Sequence, residues 1–99
     1  MPSLPAVDSI HPEEVLRAWR ERGFRGGVWV DPPGQIWADF VHPEDELLMV
    51  MEGELELAIE GRALSPARGE EVLIPAGASH TVRNVGGTTA RWLYAYRRS

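Results

Sequence analysis

Glu46 is the residue whose position most directly raises a chemical question. It follows two acids, Glu44 and Asp45, and it begins the apolar run LLMVM, which is typical of a buried strand. A buried carboxylate costs several kcal/mol unless it is paired, hydrogen-bonded or bound to a metal ion. The sequence therefore predicts that Glu46 has a partner inside the domain.

Two of the three histidines lie at predicted strand ends and are candidates for that partner. His42 stands four residues before Glu46, and His80 follows the turn PAGAS, whereas His11 precedes a helix and is expected to be solvated. The chain has no Cys, which excludes disulfides, thiolate ligands and thiol nucleophiles. Its ten basic residues are all Arg, which excludes a lysine Schiff base. Any metal must therefore bind nitrogen and oxygen.

Composition narrows the class of protein further. The 99 residues, 43% of them hydrophobic, suit one domain with one core. The first residues lack the pattern of a signal peptide, and no stretch is long and apolar enough to span a membrane. We therefore expect a cytoplasmic protein with no membrane partner. The net charge of −5 and the scattered arginines argue against nucleic acid as a partner.

The elements that must position these residues are mostly strands. Pro12 to Arg22 carries Val15, Leu16 and Trp19 at helical spacing, which predicts one short amphipathic helix. From Gly26 onward, about seven short apolar or alternating runs are separated by Gly and Pro, which is typical of an antiparallel all-β sandwich or barrel. We therefore predict a lead and helix over residues 1–25 that flank a β-domain over residues 26–99.

Five residues around His80 have a spacing that identifies a family. The intervals between them are five, one, two and three residues, and the set is Gly69, Pro75, Gly77, His80 and Asn84. This spacing resembles, in full, the second motif of the cupin superfamily. The resemblance implies a small antiparallel β-barrel or jelly roll.

The first cupin motif is matched at three of its four positions. It contains two histidines separated by one residue, a glutamate three or four residues later, and a glycine after six more. His42, Glu46 and Gly53 fit this frame, but Phe40 stands where the first histidine belongs. Together, the two motifs extend the resemblance to most of the chain.

The resemblance implies that His42, Glu46 and His80 hold a divalent metal ion inside the barrel. Iron(II), manganese, zinc and nickel suit two imidazoles and a carboxylate. Period-two alternation puts Ile36 and Phe40 on the face of His42, and Leu48 on the face of Glu46. Four side chains are therefore predicted to line the pocket: Ile36, Phe40, Leu48 and Val82. Met49 and Met51 have the opposite parity, which predicts that they face outward or toward an intermolecular contact.

The same residues are compatible with two functions. The first is a metal-binding cupin whose ion would support Lewis-acid isomerisation, hydrolysis or dioxygen chemistry on a small-molecule substrate. The alternative is a noncatalytic small-molecule binding or sensing module with a degenerate metal site, in which Glu46 and a histidine form a buried pair. The sequence does not distinguish an enzyme from a noncatalytic binding module. We also predict a homodimer, with the aromatic C-terminal strand as its contact.

Overall fold

A computed structural model describes residues 10–97, so the predicted lead over residues 1–9 lies outside the described residues. The chain forms one helix and eight strands in the following order: α1 Pro12–Glu21, β1 Phe24–Asp31, β2 Ile36–Phe40, β3 Glu46–Glu52, β4 Leu55–Ile59, β5 Arg62–Leu64, β6 Val72–Ile74, β7 His80–Asn84 and β8 Ala90–Arg97. This confirms the predicted all-β class with one short N-terminal helix. The three-residue strand β5 escaped prediction because it is too short to show an alternating pattern.

The strands form two antiparallel sheets that face each other. One sheet has the order β1-β8-β3-β6 and the other has the order β2-β7-β4-β5. The architecture is therefore a jelly-roll sandwich in place of one closed barrel. No helix in the described part of the chain is long and apolar enough to cross a membrane.

The inner faces of the two sheets form the main core. Leu48 and Val50 of β3 pack with Leu55 and Leu57 of β4, and Trp92 of β8 joins them. The burial of Leu55 and Leu57 confirms the predicted alternation along β4, because every second side chain of a strand points to the same face.

A second core covers the outer face of the first sheet and corrects the prediction for the methionines. Met49 and Met51 are buried there with Trp19 of α1, Phe24 and Leu93. They therefore face neither solvent nor another molecule. Their parity correctly predicted that both side chains point away from Glu46. Parity carries no information about the helix, which packs on this face of the sheet and covers both side chains.

One carboxylate fastens the helix over this outer core. The Trp19 indole donates a hydrogen bond to Glu71 Oε1 at 3.0 Å, and both terminal nitrogens of Arg22 donate to the two Glu71 oxygens at 2.7 and 2.9 Å. A bidentate arginine–carboxylate pair fixes orientation as well as charge. The position of α1 is therefore set by polar contacts at its C-terminal end and by apolar burial along its length.

The C-terminal strand lies in the interior of its sheet. β8 lies between β1 and β3, and Trp92, Leu93 and Ala95 are all buried. β8 therefore offers no open edge to a partner chain, and the prediction that it forms a dimer contact stays a prediction. The aromatic residues that suggested a contact point instead into the sandwich.

Candidate metal centre

Three side chains from separate segments converge at one end of the sandwich. Glu46 begins β3, His80 begins β7, and His42 lies in the segment between β2 and β3. Glu46 Oε1 is 3.7 Å from His42 Nε2 and 3.5 Å from His80 Nε2. Glu46 and His80 are buried, and His42 is partly exposed. The structure thus brings together all three residues that the sequence singled out.

Two hydrogen bonds between loops place the histidines side by side. The Gly77 N–H donates to the carbonyl oxygen of His42 at 2.8 Å, and the Ala76 N–H donates to Asp45 Oδ1 at 2.7 Å. Gly77 has φ +79°, a conformation that favours glycine. The loop before His80 is therefore held against the segment that carries His42. Asp45 accepts one of the two hydrogen bonds that hold it there.

The orientation of His80 leaves its Nε2 atom available as a ligand. Its Nδ1 atom lies 3.0 Å from the carbonyl oxygen of Ala78. A carbonyl can only accept, so Nδ1 carries a proton, and in the neutral imidazole Nε2 then presents its lone pair toward Glu46. A backbone carbonyl that fixes the tautomer in this way is a common feature of metal-binding histidines.

The Glu46 carboxylate is the unusual group of the site. Its Oε1 atom is buried and has no hydrogen-bond partner among residues 10–97. Burial raises the pKa of Glu46 to about 7. Desolvation lowers the pKa of His42, with a further contribution from His80, and Glu44 partly opposes both. The cluster therefore disfavours full protonation of the histidine and full ionisation of the carboxylate.

The spacing of the donor atoms suits a metal ion. One ligand atom from each of the three residues lies within 4.8 Å of the others. In a tetrahedral site with bonds of about 2.1 Å, neighbouring ligand atoms are about 3.4 Å apart, close to the 3.7 and 3.5 Å that separate Glu46 Oε1 from the nitrogens of His42 and His80. A buried carboxylate oxygen without a partner, beside two imidazole nitrogens, is the donor set of a borderline divalent ion.

A cavity of about 340 Å³ opens from this cluster. Its lining includes the predicted residues Phe40 and Val82, but not Ile36 or Leu48. Leu48 is fully buried in the core beneath, and Ile36 is half exposed. The complete lining is Trp29, Trp37, Phe40, His42, Glu46, His80, Val82, Trp92, Tyr94 and Tyr96.

A β-bulge in β2 explains why Ile36 does not line the cavity. Trp37 pairs with Val82 and Phe40 pairs with His80, so β2 contains one more residue than β7 between these pairs. Asp39, inside the bulge, has φ +58°. The extra residue reverses the parity of the strand, which turns Trp37 and Phe40 to the inner face. Simple alternation had assigned Ile36 to that face.

Phe40 lies directly against the imidazoles. Its ring is stacked on His42 with the centroids 5.9 Å apart, and it is 6.3 Å from the His80 ring. The position of the first motif histidine is therefore filled by an apolar ring. A hydroxyl lies on the other side of His42, because Tyr96 Oη is 3.4 Å from His42 Nε2.

Asp31 anchors the far wall of the cavity. This buried carboxylate accepts hydrogen bonds from the indole nitrogens of Trp29 and Trp37 at Oδ1, at 2.9 and 3.0 Å, and from Trp92 at Oδ2, at 3.1 Å. Asn84 of the second motif donates to the backbone oxygen of Asp31 at 3.3 Å. Sequence analysis missed Asp31, whose only signal was an acid at the end of a strand rich in tryptophan and valine.

Comparison with known proteins places these features in a family. A family model described as a cupin domain matches residues 27–96. The curated protein "Polyketide synthase CurC" of Streptomyces cyaneus is 30% identical over 69 residues, which is 69% of this chain and 45% of that protein. The chain therefore spans less than half the length of this relative.

Two solved structures extend the comparison. An oxalate oxidase in complex with the substrate analogue glycolate is 29% identical, with a TM-score of 0.69 over 78% of this chain and 43% of the other. A sugar phosphate isomerase of the cupin superfamily from Silicibacter pomeroyi is 26% identical, with a TM-score of 0.67 over 78% of this chain and 52% of the other. These two relatives are named for different reactions.

Proposed function

This chain belongs to the cupin family, and from that premise we propose that it binds one divalent transition-metal ion and presents it to a small molecule. The ligands are His42 and His80, through Nε2, and the carboxylate of Glu46. Iron, manganese, zinc and nickel all suit this donor set. Related structures with this fold are named for an oxalate oxidase and a sugar phosphate isomerase, so the same kind of site serves more than one reaction.

The observation that carries the proposal is the unsatisfied Oε1 atom of Glu46. A buried acceptor without a partner costs free energy, yet this one lies within 3.7 Å of two imidazole nitrogens. The neutral imidazole of His80 does not donate to it, since its one N–H, at Nδ1, is directed to the carbonyl oxygen of Ala78. A cation shared by the three groups resolves this arrangement and accounts for their separations.

The protein's own residues shape what happens beside the ion. A bound divalent ion supplies Lewis acidity to an oxygen atom of the small molecule. Phe40 and the tryptophans give the cavity a mostly apolar wall, and electrostatic interactions are stronger beside such a wall than in bulk water. The hydroxyl of Tyr96, 3.4 Å from His42 Nε2, can exchange a hydrogen bond with a molecule bound next to that histidine.

Metal analysis tests the proposal directly. Protein made without a histidine tag is reconstituted separately with iron(II), manganese, nickel and zinc, and metal content is measured by mass spectrometry. The wild type is compared with Glu46→Gln and His80→Ala, with circular dichroism to verify folding. His11→Ala is the matched control, because His11 is exposed ahead of α1.

We expect about one equivalent of metal in the wild type and in His11→Ala, and a loss of metal in folded Glu46→Gln and His80→Ala. Glu46→Gln keeps the size of the side chain, so it separates metal loss from misfolding. Absence of metal from the reconstituted wild type would refute the proposal and favour a noncatalytic module that binds a small molecule in the same cavity.

The homodimer remains a prediction, and we propose a different surface for it. β1 is an edge strand that exposes Val28 and Val30 by 39% and 55%. Exposed apolar side chains on an open edge favour association with a second chain. Sedimentation of the wild type beside Val30→Lys tests this surface, and a monomer at all concentrations would contradict it.

A further inference from the structure

The wall of the cavity is aromatic and carries no cationic side chain. Of the ten lining residues, six are Trp, Tyr or Phe, two are His, and none is Arg. The acids at or behind the wall are Glu46 and Asp31, both buried. Away from the two histidines, an anionic group would therefore meet no protein cation in this cavity.

The hydrogen bonds of the wall point away from a ligand. The indole nitrogens of Trp29, Trp37 and Trp92 all donate to Asp31. These three side chains therefore offer carbon surfaces to the cavity and hold their rings in fixed positions. Such a wall offers no acceptor to a ligand that carries N–H groups. Those N–H groups would lose their hydrogen bonds to water on binding, which costs free energy.

The rings of the wall form a connected cluster in which neighbouring planes are steeply inclined to each other. Trp29 is 5.8 Å from Trp37 at an angle of 77°, and 6.0 Å from Tyr94 at 82°. Trp92 and Tyr94 are 6.3 Å apart at 67°. A cation in the corner between two such rings lies within about 6 Å of both centroids, the range of cation–π attraction. The Asp31 carboxylate behind the indoles adds a negative potential on the same side.

We propose that this aromatic wall binds a methylated onium group, such as a quaternary ammonium, which has a positive charge and no N–H to satisfy. An oxygen at the other end of the ligand would be directed toward His42, Glu46 and His80. Only that second contact rests on the proposed metal function. Binding of the onium group to the wall requires no metal ion, so the two proposals can fail separately.

Choline and its uncharged analogue 3,3-dimethylbutan-1-ol test the inference. The two molecules have the same shape, and a carbon atom replaces the quaternary nitrogen. Each is titrated into metal-free protein by calorimetry at moderate ionic strength. We expect choline to bind at least about tenfold more tightly, from two or more desolvated cation–π contacts. Equal or tighter binding of the uncharged alcohol would overturn the inference and identify an ordinary apolar pocket.

A variant at the wall locates the binding. Trp29→Leu removes the ring that contacts three others. The variant should fold, because Trp29 is 40% exposed and Asp31 Oδ1 keeps its hydrogen bond from Trp37. Choline affinity should fall at least about tenfold, whereas Val30→Ala, on the opposite face of β1, should leave it unchanged. Unchanged choline affinity in folded Trp29→Leu would overturn the inference. Metal content measured on the same samples reports on the metal site independently.

Discussion

Glu46 Oε1 and His80 Nε2 lie 3.5 Å apart, although Glu46 belongs to one sheet and His80 to the other. Both side chains are buried, so the contact crosses the sandwich at the end where the cavity opens. A metal ion shared by these residues would tie the two sheets together. The stability of the fold and occupancy of the site should therefore be coupled.

The first prediction follows from this coupling. An ion that binds only the folded state at one hundred times its Kd adds about 2.7 kcal/mol to the free energy of unfolding. For a domain of this size, such a gain raises the Tm by about 10 °C or more. Thermal unfolding with and without the metal should show this rise in the wild type. An equal rise in Glu46→Gln would mean that the metal acts elsewhere.

The second prediction concerns the pH dependence of the metal-free protein. Burial raises the pKa of Glu46 from its ordinary value of 4.5 to about 7, so between these values the folded state holds a proton that the unfolded state has released. The stability from this group is complete below pH 4.5 and declines as pH rises to 7, by about 3 kcal/mol. Urea unfolding in chelator should show the decline relative to Glu46→Gln. Parallel curves for the two proteins would contradict it.

Metal affinity should depend on pH in the opposite direction. The ion must displace the proton from Glu46, so affinity should rise as pH increases through about 7. Titrations of metal into protein at pH 5.5, 6.5 and 7.5 measure this dependence. An affinity that is independent of pH would argue against the carboxylate as a ligand.

Restoring the missing histidine should strengthen the site. The Phe40 ring lies 5.9 Å from the His42 ring and 6.3 Å from the His80 ring, so an imidazole at position 40 can reach the same ion. A fourth protein ligand should raise metal affinity in Phe40→His at least about tenfold. Phe40→Leu, which stays apolar, is the control and should show no gain. Competition with a chromophoric chelator measures both, and equal affinities would place position 40 outside the ligand shell.

The Asp31 anchor should matter for stability. In Asp31→Asn, one amide oxygen cannot replace two carboxylate oxygens that accept from three indoles. At least one indole N–H would face the amide NH₂ group, so we expect a loss of about 2–4 kcal/mol in urea unfolding. Asp39→Asn is the control, because Asp39 is exposed and Asn tolerates its positive φ. Equal stability of the two variants would show that Asp31 is not a buried anchor.

Two glycines with similar backbones should differ in their tolerance of alanine. Gly53 has φ +85° and Gly61 has φ +80°, so each substitution carries backbone strain of about 1 kcal/mol or more. A Cβ atom at Gly53 would also lie 2.8 Å from Ala90 Cα, whereas at Gly61 it would meet nothing within 4 Å. Gly53→Ala should therefore lose clearly more stability than Gly61→Ala in urea unfolding. Similar losses of stability in the two variants would mean that β8 shifts away from residue 53 without a cost in free energy.

The sequence by itself determined the class of the fold and the identity of the candidate ligands. Leu55 and Leu57 alternate with polar residues, and period two requires such residues to face inward. The spacing around His80 and Glu46 reflects local turns, so it could be recognised without knowledge of distant contacts.

Only the tertiary structure decided what surrounds those ligands. The bulge at Asp39 turns Trp37 into the cavity and Ile36 out of it, and one inserted residue leaves no signal in composition. Helix α1 covers Met49, and Asp31 meets Trp92 across 61 residues of chain. These contacts depend on how the two sheets and the helix pack, because a strand specifies which side chains share a face but not which neighbour that face will meet.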